Sequence, residues 1–135
     1  SVSVSLLRNN YFKYYLDFTN PKRVKLSYIK HPQKLNSLLA KNERVWVHIP
    51  NGINVETKEI LSNKISKYSH VKFDFLHADL YYIGTDISQE KLLDEVLNFD
   101  ISEKDIYISI SKAYDLLGDT DKANEVYDLA KNIED

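Results

Sequence analysis

Apolar and polar positions alternate along residues 1–7 (SVSVSLL), which places Val2, Val4 and Leu6 on one side of an extended chain. That period predicts a half-buried strand. Residues 11–18 (YFKYYLDF) crowd aromatics too densely for period to choose between helix and strand. Asn20-Pro21 marks a turn, because the residue before proline is pushed out of the helical region. Alternation returns over 24–30 (VKLSYIK), and His31-Pro32 ends it. Over 33–41 the period becomes helical, with Leu35, Leu38 and Leu39 on one stripe.

The stretch 44–84 organises the rest. Val45, Val47 and Ile49 fall on one face of a strand and Trp46 on the other, so both faces are apolar, as in a parallel sheet. A loop over 50–54 carries Asn51-Gly52, and Asn54 is placed to cap a helix over 55–68 whose core stripe holds Leu61, Ile65 and Tyr68. Val71, Phe73 and Phe75 then alternate in a strand over 71–76, and 80–83 either continues it or forms a short strand of its own. The stretch reads as a βαβ-like unit against which the remaining segments are laid.

From Ser88 the period is 3.6. Leu92, Leu93, Val96 and Leu97 mark one helix, and Ser102 with Asp105 resembles a capping box for the next. That helix carries Ile106, Tyr107, Ile110, Ala113, Tyr114 and Leu117, and Gly118 stops it. Asp119 or Thr120 caps a last helix lined by Ala123, Val126, Tyr127, Ala130 and Ile133. The expected fold class is α/β: a small, mainly parallel sheet with flanking helices in residues 1–86, then a helical part in 87–135 ending in an antiparallel hairpin.

Residues 104–134 resemble a single tetratricopeptide repeat. Tyr107, Ile110, Tyr114, Gly118-Asp119, Ala123, Tyr127 and Ala130 stand where that family has its aromatic, leucine, tyrosine, turn, alanine, aromatic and alanine. Ser111 departs from the usual glycine. Small residues at 123 and 130 let two helices approach closely. The resemblance implies contact with another protein, or with other domains of a parent chain, with Tyr107, Tyr114 and Tyr127 as the partner-facing residues. A lone unit has no like neighbour to stack on, so it packs either on the α/β part or on further repeats.

Composition narrows the chemistry. A hydrophobic share of 43% suits a globular core, and low glycine and proline argue against long linkers. Absence of cysteine excludes disulfides, thiolate zinc sites and a cysteine nucleophile. No apolar run is long enough to span a bilayer, and no leader is visible, so a cytoplasmic location is expected. The chain does not begin with Met, which points to a processed product or a piece of a longer protein. Residues 1–72 hold thirteen Lys/Arg against four acids, and 73–135 hold five Lys against sixteen acids.

In an open α/β sheet, ligands gather beyond the carboxyl ends of strands. Those ends deliver His31, Asn51, Gly52, Asn54, His77 and Asp79, and the loop before the 55–68 helix offers backbone N–H groups to an anion. No glycine-rich phosphate pattern accompanies them. FLHADLYYIGTD faintly resembles the strand-end D-x-D of nucleotide-sugar glycosyltransferases, with His77 in place of the first acid. No metal or cofactor is expected, and His48, inside a strand, reads as a core or face histidine and not a ligand. A basic run of Lys22, Arg23, Lys25, Lys30 and Lys34 interleaves with Tyr28 and His31, but C-terminal acidity argues against nucleic acid. Two functions follow. One is a non-enzymatic interaction or regulatory domain that contacts its partner through the hairpin. The alternative is a fragment of a nucleotide-sugar-dependent transferase or another anion-binding α/β enzyme.

Overall fold

A computed structural model describes residues 2–5, 25–28, 33–41, 43–98 and 104–133. In chain order the elements are β1 (Val2–Ser5), β2 (Lys25–Tyr28), α1 (Gln33–Lys41), β3 (Arg44–Pro50), α2 (Val55–Ile65), β4 (His70–Phe75), β5 (Ala78–Gly84), α3 (Gln89–Leu97), α4 (Lys104–Leu116) and α5 (Thr120–Lys131). The expectations for residues 11–18, for His31 and for a capping box at Ser102 lie outside the described residues.

The strands form one sheet in the order β2-β1-β3-β5-β4. β3 pairs antiparallel with β5, and β5 antiparallel with β4, while parallel pairing is confined to the four-residue β1 against β2 and β3. The expected mainly parallel sheet is therefore overturned. The cause is local: Phe75 pairs with Ala78, so only Leu76 and His77 connect β4 to β5, and so short a link can join only antiparallel strands. The 44–84 stretch is not a simple βαβ unit either. β3 and β4 point the same way, but β5 is inserted between them. The turn escaped the pattern because it lacks the usual glycine, and His77 takes φ +69° instead.

Both faces of the sheet are covered. Val45, Val47 and Ile49 of β3 join Tyr81 and Ile83 of β5 against Leu35 of α1 and Leu61 and Ile65 of α2. On the opposite face Trp46, Phe73, Phe75, Leu80 and Tyr82 meet the three C-terminal helices through residues such as Leu92, Ile106, Ile110, Tyr114 and Val126. The two-sided apolarity of β3 thus reflects helices on both faces, with an antiparallel neighbour. Each fully buried side chain of this kind contributes roughly 1.5–3 kcal/mol.

Local signals set the helix ends. Asn54 Oδ1 accepts from Thr57 N at 2.8 Å, and Ser88 and Asp119 cap α3 and α5 in the same way. Gly118 takes φ +88° in the α4–α5 turn. Ser111 Oγ donates to Ala123 O at 2.7 Å, so the small residues at 111 and 123 mark a close approach of the two helices. The hairpin docks on the sheet where Leu76 N donates to Ser109 Oγ at 2.8 Å.

Candidate functional site

β3 and β4 deliver the 51–54 loop and the 76–77 turn to the same end of the sheet. Asn51 N donates to His77 O at 2.9 Å, which ties the two together. Two of the donors foreseen for an anion are engaged: the Asn51 amide by that bond and the Thr57 amide by the Asn54 cap. Gly52 is exposed, with nothing within 4 Å of a Cβ built on it, so no group crowds over the loop there.

His77 and Asp79 do not form a pair. The His77 side chain reaches α4, where Nε2 lies 3.1 Å from Asp105 Oδ2. Asp79 points through the other face of the sheet to α2, with Oδ2 3.3 Å from Lys58 Nζ and 4.0 Å from Lys72 Nζ. Residues two apart lie on one face only where a single strand runs on through both. The chain reverses at His77 instead. Among the described residues no group of three or more His, Asp or Glu could hold a metal ion.

The aromatic trio of the hairpin separates as well. Tyr114 is fully buried and its hydroxyl donates to Asp94 Oδ1. Burial, and then that bond, push its phenol well above the ordinary range. Tyr107 is half-buried against the core. Tyr127 is 46% exposed, with Lys131 Nζ 5.0 Å from its ring centroid. Of the three, Tyr127 is the one most open to a partner.

A polar cluster that sequence reasoning missed sits at the other end of the sheet. Arg44 pairs with Glu95 of α3 and donates from Nε to Tyr82 Oη at 2.9 Å, while Trp46 Nε1 donates to Glu95 Oε1 at 3.1 Å. Tyr82 Oη in turn donates to Thr85 O at 2.8 Å. Burial opposes the Arg44 charge, but its bonds to Glu95 and Tyr82 more than offset this and hold its pKa above the ordinary value. One signal was available, since a buried tryptophan N–H requires an acceptor. The cluster locks α3 onto β3. A cleft beside it, lined by Ser69, His70, Tyr82 and Thr85, leaves about 20 Å³, room for roughly one water.

His48 is fully buried, and desolvation lowers its pKa from 6.5 to about 3. It is a neutral core residue. No helix among the described residues is long and apolar enough to cross a membrane. Compared with protein-family models, curated proteins and solved structures, the chain matches none of them.

Proposed function

We propose that this chain is a non-enzymatic protein-interaction domain that contacts a partner through the α4–α5 hairpin. The observation that carries the reading is where large apolar side chains reach water. Of the eight such residues among those described, four lie on the hairpin: Leu116 at 88%, Leu117 at 42%, Tyr127 at 46% and Leu129 at 46% exposed. Asp121, Glu125 and Asp128 stand among them, so the fitting partner offers apolar anchors beside basic residues. The likeness of 104–134 to a tetratricopeptide unit points the same way. The enzymatic alternative draws less support, because the His77 and Asp79 named for it leave the sheet on opposite faces.

The test is affinity capture with the intact chain and with Tyr127→Lys and Leu129→Lys, two exposed changes that leave the core untouched. Proteins held by the intact chain and lost by both variants are the expected result. Capture indifferent to both changes overturns the hairpin reading, as does turnover of a nucleotide-sugar by the intact chain.

A further inference from the structure

β4 ends the sheet in the described strand order, and its six residues HVKFDF present an outer edge. Phe73 is 6% exposed and packs under the C-terminal helices, so the strand is held firmly against them. Its neighbours Lys72 and Asp74 project from the other face, with side chains 44% and 82% exposed. Lys72 Nζ lies 3.3 Å from Asp74 Oδ1 and 4.0 Å from Asp79 Oδ2. A lysine on an edge strand ordinarily deters another strand from adding to the sheet.

The spacing of these charges reverses that effect for one particular partner. If two copies of β4 meet antiparallel about a two-fold axis at Phe73, residue 72 of each stands opposite residue 74 of the other. Lys72 of each copy then faces Asp74 of the other, two opposite-charge pairs in all. Opposite charges directly across antiparallel strands attract, and like charges repel. A two-fold interface requires this kind of self-complementarity. We propose that a second copy of this chain pairs with β4 along its edge, centred on Phe73, so that two sheets become one. This interface lies on the sheet edge and is independent of the hairpin reading above.

One short strand gives a modest contact, so the association is expected in the range of about 1 μM to 1 mM. Sedimentation equilibrium over that range should show the mass rising toward twice the 15.8 kDa of one chain. Lys72→Glu places two acids opposite each other and Asp74→Lys two lysines, so each variant alone should stay monomeric. An equimolar mixture of the two should associate again, because the new glutamate of one variant then faces the new lysine of the other. Circular dichroism reports whether each variant is folded. Should Lys72→Glu fail to fold beside Asp79, Asp74→Lys and Asp74→Glu suffice, the first monomeric and the second, which keeps an acid opposite Lys72, dimeric. A mass that never rises overturns the proposal. So does a dimer that survives both single reversals, which would lie on another surface.

Discussion

His48 makes the burial of this fold measurable through pH. Its ring is fully buried, and desolvation lowers its folded pKa from 6.5 to about 3. In the unfolded chain the imidazole titrates near 6.5. Above that pH both states hold it neutral and it contributes no pH dependence. As pH falls below 6.5 the unfolded chain takes up a proton that the native state refuses, so the unfolded state gains free energy and the fold weakens. The loss levels off only near pH 3, where the native ring also charges. Linkage then assigns this one residue a loss of about 2 kcal/mol between pH 7 and pH 5. Urea unfolding of the intact chain and of His48→Gln at both pH values isolates the effect, since all other titrations are shared. A lower starting stability of the variant does not enter, because only the difference between the two pH values is compared. The variant should lose about 2 kcal/mol less over the interval. Equal losses in the two proteins would refute the claim that His48 is buried and neutral.

Glu95→Ala removes the acceptor of the fully buried Trp46 N–H and should cost about 1–3 kcal/mol in urea unfolding, whereas Glu95→Gln, which keeps an oxygen, should cost clearly less. Equal costs would mean that the indole bond carries no energy. At Gly84, with φ +149°, a Cβ would stand 2.5 Å from Glu43 O and 2.9 Å from Arg44 Cα. Gly84→Ala should therefore lower stability by more than about 1 kcal/mol; an unchanged melting temperature would contradict that crowding. Ala123 is 4% exposed where α5 crosses α4, and Ala123→Leu should cost roughly 1–3 kcal/mol by overpacking, read from the same denaturant curves. No loss would mean that the two helices stand further apart than the Ser111–Ala123 bond implies.

The part of the candidate site that could be read in advance was the part set by neighbours in the chain. Asn54 caps α2 through an atom three residues away, and Gly118 turns the hairpin at its own φ. The Arg44–Glu95–Trp46 cluster could not be found that way, because Glu95 lies 51 and 49 positions from its two partners and nothing local marks it as the acceptor. His77 and Asp79 show the opposite failure. Residues two apart share a face only along one strand, and a turn lacking glycine reversed the chain here and sent the two side chains to α4 and α2.

Hydrophobic period settled, for the most part, which residues of each segment would be buried. The alternation of Val45, Trp46 and Val47, the small Ala123 and most of the helical stripes from Leu92 onward appear in the core. Tyr68, Leu117 and Tyr127, placed on the stripes by the same spacing, sit near helix ends or on the outer side of the hairpin and stay exposed. That period belongs to a single segment and is written in consecutive residues. Strand direction and order are not. An alternating segment offers the same buried face to a parallel or an antiparallel neighbour, and its backbone hydrogen bonds go to groups far along the chain. The insertion of β5 between β3 and β4, and with it the end of the sheet at which each loop emerges, was decided only when both helix layers closed over the strands.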